Sequence, residues 1–444
     1  MSAHTDFIDL LYCPKTRSGI SEDGVQLRSE QGEHYPIING IPWLLPNPLH
    51  SMVDWSIKLN HFQQVLSAEI QQLEHACKKS TGFTLQRLQK LLQHKKSFQL
   101  TISSLIAPIL TAKVSGKPIN DALSDRAPTT QNLLSYEANL YRDWVWGEQE
   151  NQDSASVVVE ALSGYSPEKI LVLGAGSGKL AFDLHCHTNP KLTIASDINP
   201  LLIFAAKEIL FGNGLEIDEF PMHPKSLDAV AISHKIEPIN APDNFHLLFA
   251  DAVKPALKPE SVDTVVTPWL IDIQPFALEK FLAAINHYLP IGGYWVNFGS
   301  LVFQQARDSL CYSPEEIKHV AAEAGFEVEA VHHTEMAYLK SPYNAGHRVE
   351  TVWSWRAKKV KHVKQSQDLQ NLPNWLLDSE QPIPNTRQIQ SIAYSHQIYL
   401  ELAKQVNGQR SLKQIAAQFS RQHNIDKNEA LSLVKDFFKK TAQS

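Results

Sequence analysis

Ile170-Leu171-Val172-Leu173-Gly174-Ala175-Gly176-Ser177-Gly178-Lys179-Leu180 reads as a strand, a tight turn and the start of a helix. The apolar run suits a strand buried on both faces. Glycine serves where φ is positive or where backbone must approach a ligand closely. The helix that follows presents unpaired N–H groups to an acceptor. A glycine-rich turn with no ligand has the same local pattern, so the surrounding spacing has to decide between the two.

The next apolar stretch, Leu192–Ser196, ends at Asp197, nineteen residues after Gly178. An acid there can accept hydrogen bonds from ribose hydroxyls. The stretch His246-Leu247-Leu248-Phe249-Ala250 ends at Asp251 and Ala252. Successive strands thus end in a glycine turn, an acid and an acid, on the sheet edge where such folds bind ligands. A dinucleotide fingerprint would place its third glycine five residues after the first. Lys179 holds that position, and the third glycine comes early, at Gly178. A P-loop would need Ser or Thr after Gly-Lys, but Leu180 follows.

This GxGxG turn with its two acids resembles the class I methyltransferases. The resemblance implies S-adenosyl-L-methionine as cofactor, with the turn (Gly174, Gly176, Gly178) against its methionine part, Asp197 on the ribose and Asp251 with Ala252 at the adenine. Flanking segments resemble the carnosine N-methyltransferase family over about residues 135–357. They are Leu140-Tyr141-Arg142-Asp143-Trp144, Trp269-Leu270-Ile271-Asp272, Gly292-Gly293-Tyr294-Trp295-Val296-Asn297-Phe298-Gly299-Ser300-Leu301, Tyr312-Ser313-Pro314-Glu315-Glu316-Ile317 and Ala324-Gly325-Phe326. By that resemblance Arg142 reaches the cofactor, and Asn139 stands where the family has a glutamine. Asp272 matches the acid that holds the substrate imidazole and is the candidate catalytic residue. A carboxylate accepting the imidazole N–H fixes the tautomer and aims the other nitrogen's lone pair at the methyl group. The alternative for Asp272 is a helix N-cap before Pro275.

The sequence departs from the family on the acceptor side. Gly299-Ser300-Leu301-Val302-Phe303 leads to Gln304 where the family has a histidine, and His347-Arg348-Val349 stands where it has tyrosines. Gln304, Tyr343, His347 and Arg348 are therefore candidate substrate contacts. The expected acceptor is an imidazole- or amine-containing small molecule or peptide other than carnosine. The rival is a non-catalytic methyltransferase-fold scaffold that binds a peptide or protein partner.

At 444 residues the chain exceeds one hydrophobic core, and its length suggests about three domains. Residues 168–357 alternate apolar strands and helical stretches. The expected fold class is α/β: a class I, Rossmann-like methyltransferase with a mostly parallel seven-stranded sheet, a small β-rich N-terminal module, a helical insert and a helical C-terminal module. The expected organisation is 1–50, 51–130 (helix and loop), 131–357 (the methyltransferase domain), 358–372 (a linker) and 373–444.

Residues 8–46 resemble small zinc-ribbon-like proteins that activate methyltransferases, on Leu11-Tyr12-Cys13-Pro14 and Tyr35-Pro36-Ile37-Ile38-Asn39-Gly40-Ile41-Pro42-Trp43-Leu44-Leu45. Thr16 stands where a CxxC partner of Cys13 would be, so no metal is expected. Residues 406–416 resemble winged-helix-like modules that hold precursor peptides, and fit a generic helical bundle equally well. The four cysteines form no CxxC pair, and the net charge of −6 argues against general nucleic-acid binding. No signal peptide or membrane span is expected, and the composition suits a cytoplasmic protein.

Overall fold

A computed structural model describes residues 3–24, 26–111, 136–274, 277–303, 308–364, 397–398, 400–407 and 409–443. It divides into two compact units, Met1–Leu369 and Gln370–Ser444.

The first unit begins with helix α1 (Ala3–Ile8) and strands β1 (Ile20–Asp23), β2 (Gln26–Ser29), β3 (His34–Ile38) and β4 (Ile41–Leu44). Helices α2 (Pro48–Lys79) and α3 (Gly82–Thr111) follow. They run antiparallel, as Gln99 bonded to Ser67 and Lys95 paired with Glu69 show. Next come α4 (Glu137–Tyr141), a π-helical turn (Arg142–Trp146) and α5 (Glu148–Ala161). Alternation then sets in: β5 (Lys169–Leu173), α6 (Lys179–Thr188), β6 (Leu192–Asp197), α7 (Pro200–Phe211), the hairpin β7 (Leu215–Glu219) and β8 (Ile232–Ile236), and β9 (Phe245–Ala250). It continues with β10 (Thr264–Pro268), α8 (Leu278–Tyr288), β11 (Tyr294–Gly299), α9 (Pro314–Glu323), β12 (Phe326–Tyr338) and β13 (Arg348–Lys359).

The sheet order is β1-β2-β3-β4-β9-β6-β5-β10-β11-β13-β12. Pairing is parallel from β4 through β11 and antiparallel at β11–β13 and β13–β12. Strand order reverses between β5 and β10, and the crevice beyond the carboxyl ends at such a reversal is where ligands bind in open α/β sheets. Side-chain alternation explains the two cores. Ile170, Val172, Ala195, Val266 and Val296 face α2, α3 and α7, whereas Leu171, Leu173, Ile194, Val265 and Trp295 face α1, α8 and α9.

The sheet is larger than the seven strands expected. Strands β9-β6-β5-β10-β11-β13-β12 carry the α/β alternation, and the N-terminal meander extends them, with Trp43 opposite Phe249 and Leu44 opposite Ala250. Residues 1–50 are therefore built into the central sheet rather than set apart from it. Trp43 is buried against Phe249 and donates its indole N–H to Ser51 Oγ at 2.7 Å. Cys13 is buried with its Sγ 2.9 Å from Tyr35 Oη.

The linker expected at 358–372 also needs correction. Lys358 and Lys359 are the last residues of β13, and Lys359 is only 1% exposed. Its Nζ donates to the carbonyls of Asn286 and Leu289, at 2.8 and 2.7 Å, which satisfies an otherwise costly buried ammonium. Of the remaining linker, residues 365–372 lie outside the described residues.

In the second unit, α10 (Leu412–His423) starts with a capping box between Ser411 and Gln414 and packs on α11 (Lys427–Gln443) through Ile415, Phe419 and Val434. Among the described residues no helix is long and apolar enough to cross a membrane.

Candidate active site

The turn between β5 and α6 is left-handed at Gly174, Gly176 and Gly178, with φ of 68°, 57° and 79°. The three glycines have different surroundings. A Cβ on Gly174 would lie 2.7 Å from Leu270 Cδ1, and one on Gly178 3.4 Å from Leu210 Cδ1. A Cβ on Gly176 would meet nothing nearer than Leu202 Cδ1 at 4.0 Å. Packing alone accounts for Gly174, whereas Gly176 fronts open space, where a ligand has room to approach.

Asp197 ends β6 beside this turn. Its Oδ2 accepts the Gly176 N–H and its Oδ1 the Asn199 N–H, both at 2.8 Å. Burial raises its pKa, and these two backbone N–H groups oppose the rise. The Ile198 N–H also opposes the rise. Asp251 lies just past β9, next to β6, and accepts the Val253 N–H at 3.0 Å; Ala252 beside it is half-buried.

The π-helical turn closes the other side. Its i→i+5 bond runs from the Gly147 N–H to the Arg142 carbonyl, 2.9 Å. Asp143 Oδ1 accepts from Arg142 Nε (2.8 Å) and Nη2 (2.6 Å), and its Oδ2 accepts from Ser177 Oγ at 2.6 Å. Trp144 Nε1 donates to the Ser177 carbonyl at 3.1 Å. Arg142 is thus tied through Asp143 to the glycine turn, while its guanidinium lies 5.7 Å from the Tyr338 ring. Asn139, half-exposed in α4, accepts the Arg142 N–H at its own carbonyl.

Asp272 follows β10 and is 4% exposed. Its Oδ2 accepts from Ser300 Oγ at 2.8 Å and from the Val302 N–H at 3.1 Å. Burial pushes its pKa up, those two donors oppose that, and the charge of Glu350 adds to it. Helix α8 is capped at Ala277, so Asp272 is not its N-cap. The Tyr136 phenol is pushed up by burial and then by Tyr338, Asp197 and Asp272. Trp269, left-handed at φ 50°, is held by its N–H to the Phe298 carbonyl (2.7 Å) with its ring 4.8 Å from Tyr338.

The acceptor-side candidates separate. Arg348 pairs with Glu350 at 3.2 Å and lies 4.7 Å from the Tyr338 ring, so it joins the cleft. Tyr343 instead faces the β7–β8 hairpin, its ring 5.7 Å from His234 and its carbonyl accepting the Lys225 N–H. His347 is exposed. Gln304 lies outside the described residues. Tyr136, Tyr338 and Glu350 were not singled out from the sequence; Trp269 and Ser300 lay within the quoted family-like segments without a role of their own. A groove of about 630 Å³ between α5 and α6 is lined by Arg142, Asp143 and Lys179, but by none of Asp197, Asp251 and Asp272. No group of three or more His, Cys, Asp or Glu among the described residues is placed to hold a metal ion.

A second polar cluster underlies the cleft. Glu219 is 2.7 Å from His234 Nε2 and accepts the Trp146 indole N–H at 3.2 Å. Tyr141 Oη is 2.6 Å from the Asp218 carbonyl and 2.7 Å from Glu137 Oε1. Burial pushes the Glu137 carboxyl up to about 7, with Tyr141 and Lys95 opposing and Glu219 adding. A carboxyl whose folded pKa exceeds its unfolded value loses stability as pH rises through that window. Replacing Glu137 by Gln is therefore expected to flatten the fall in thermal midpoint between about pH 5 and about pH 8. Parallel profiles for both proteins would contradict the assignment.

The sequence model of a family described as carnosine N-methyltransferase matches residues 218–366, a segment that begins beyond the glycine turn and includes Asp251, Asp272 and Arg348. A carnosine N-methyltransferase of Dictyostelium discoideum is 25% identical over 182 residues, 37% of this chain and 37% of that protein's length. Among solved structures, the N-methyltransferase NodS of Bradyrhizobium japonicum, in complex with S-adenosyl-L-homocysteine, is 14% identical at a TM-score of 0.34, covering 52% of this chain and all (100%) of that one. A methyltransferase of Thermotoga maritima described as a possible histamine N-methyltransferase is 15% identical at a TM-score of 0.30, covering 50% and 98%.

Proposed function

We propose that this chain is a class I S-adenosylmethionine-dependent methyltransferase that N-methylates an imidazole- or amine-containing small molecule or peptide related to, but distinct from, carnosine. The observation that carries the reading is the convergence of three elements on one sheet edge. These are the Gly174–Gly178 turn fastened to Asp197, Asp251 past the neighbouring parallel strand β9, and the buried Asp272 past β10, which pairs in parallel on the other side of β5. The family match over residues 218–366 supports it.

The residues fit the cofactor. Gly176 leaves the approach open, Asp197 beside it would accept from ribose hydroxyls, and Asp251 with Ala252 would meet the adenine. Arg142, with Asn139 nearby, borders the turn. When bound, S-adenosylmethionine supplies an electrophilic methyl group on a sulfonium.

The chain's own work is alignment and dehydration. Asp272 accepts the N–H of a neutral imidazole and leaves the other nitrogen's lone pair toward the donor. Ser300 and Val302 hold that carboxylate in place. Positive charge develops on the ring as the methyl arrives, and the fixed carboxylate stabilises it without reorganising. Tyr136, Trp269 and Tyr338 wall the ring and exclude water. With an unperturbed pKa of about 6.5, an imidazole needs little help to be neutral at pH 7.

The scaffold reading has one observation in its favour: packing against Leu270 explains Gly174 without a ligand. Calorimetric titration with S-adenosylhomocysteine and with NAD separates the alternatives. Binding of the homocysteine compound in preference to NAD is expected, and binding of neither would leave the scaffold.

A further inference from the structure

The exposed Arg348 guanidinium lies 4.7 Å from the centre of the Tyr338 ring and 3.2 Å from Glu350 Oε1. The two carboxylate-bearing positions of the cleft differ in depth. Asp272 is buried, whereas Glu350 is 18% exposed and reaches the rim, where Arg348 is 67% exposed. Strand pairing sets this up: Tyr338 and Arg348 are directly opposite on β12 and β13, and Glu350 faces Met336 two pairs along, on the same face of the sheet as Arg348. An aromatic face and a carboxylate side by side are the components of an organic-cation site. Trp269, 4.8 Å from Tyr338, extends the aromatic wall toward Asp272. An exposed ion pair contributes little to stability, so Arg348 is held loosely and a competing cation can displace it.

We propose that Tyr338 and Glu350 form a cation subsite at the mouth of the acceptor cleft, filled in the free protein by Arg348 and taken over by a positively charged group on the acceptor. The subsite rests on the methyltransferase reading and sharpens it. The acceptor places its imidazole N–H at Asp272, leaving the other ring nitrogen as the nucleophile, and an ammonium or similar cation at Glu350. Charge agrees: Asp272 and Glu350 are both carboxylates, while Arg142 is already paired with Asp143. Arg348 then acts as a gate that disfavours acceptors without a cation strong enough to displace it. This reverses the role expected from its place in the sequence, that of a direct substrate contact.

The sign of one substitution tests this. Histamine, an imidazole with an ammonium group, and imidazole-4-acetate, its anionic counterpart, serve as probes in calorimetry on the full chain saturated with S-adenosylhomocysteine. Arg348→Ala is expected to tighten histamine binding several-fold, and Glu350→Gln to weaken it about ten-fold, the scale of a desolvated cation contact. Lys340→Ala, which removes an exposed charge nearby, should leave histamine affinity unchanged and so separates displacement from a general field effect. If Arg348→Ala weakens imidazole-4-acetate and leaves histamine unmoved, Arg348 is an anion ligand and the proposal fails. It also fails if histamine does not bind, or binds equally to wild type and Glu350→Gln. The S-adenosylhomocysteine titration in the same series reports separately on the cofactor, so its loss would count against the methyltransferase reading and not against the subsite.

Discussion

Asp272→Asn is expected to slow methyl transfer by about a hundred- to a thousand-fold while leaving S-adenosylhomocysteine affinity unchanged. The reason lies in the donors already present. The Val302 N–H cannot turn away, and Ser300 Oγ donates to the same oxygen. An asparagine must place its carbonyl there, which turns its NH₂ toward the position from which Asp272 accepts. An acceptor becomes a donor, and an imidazole is held in the wrong tautomer or not at all. Shape and the hydrogen bonds from Ser300 and Val302 are kept, so the variant is expected to fold. Since burial raises the Asp272 pKa and its ionised form is the working one, wild-type transfer should fall on the acid side at a higher pH than an ordinary aspartate would give. Equal loss of transfer and of cofactor binding would assign Asp272 to structure instead.

Asp197→Ala acts on the other half. It removes the acceptor for the Gly176 and Asn199 N–H groups and, in the proposed complex, the ribose contact. Charge-assisted hydrogen bonds contribute roughly 1.5–3 kcal/mol each, so a loss of about a hundred-fold or more in S-adenosylhomocysteine affinity is expected. Gly176, already left-handed, loses the anchor that holds its amide beside the open approach. Asp197→Asn keeps one accepting oxygen and should fall between wild type and alanine. Unchanged calorimetric affinity in the alanine variant would remove Asp197 from the cofactor site.

The glycine turn and the strands around it were legible because each fact is local. A five-residue apolar strand, three glycines and an acid at the next strand end are visible in order along the chain. The β7–β8 hairpin was not, because Asp218 and Glu219 break the apolar alternation. They are buried because His94 and Ser233 satisfy Asp218, and His234 and Trp146 satisfy Glu219, partners that come together only in the fold. The π-helical turn was hidden for another reason: a register of five leaves Leu140, Trp144 and Val145 looking like an ordinary helix face. Lys359 reads as a solvated linker charge until the carbonyls of Asn286 and Leu289 are seen to surround its ammonium.

At the site the same division holds. Asp272 and Arg142 stood within short motifs, so family resemblance could place them. Tyr338 and Glu350 come together only through the pairing of β12 with β13, which sets Arg348 between them. Tyr343 shows the converse. It lies near Arg348 in sequence, yet the turn between β12 and β13 folds onto the β7–β8 hairpin and carries its ring to His234.

The most direct test is transfer of tritium from methyl-labelled S-adenosylmethionine to the small-molecule and peptide fractions of a cell extract, with wild type and Asp272→Asn compared at saturating cofactor. The account predicts labelled product with wild type, and loss of that product in the variant despite equal cofactor binding. A wild-type protein that binds the cofactor yet labels nothing, or a variant that labels as well as wild type, would contradict it.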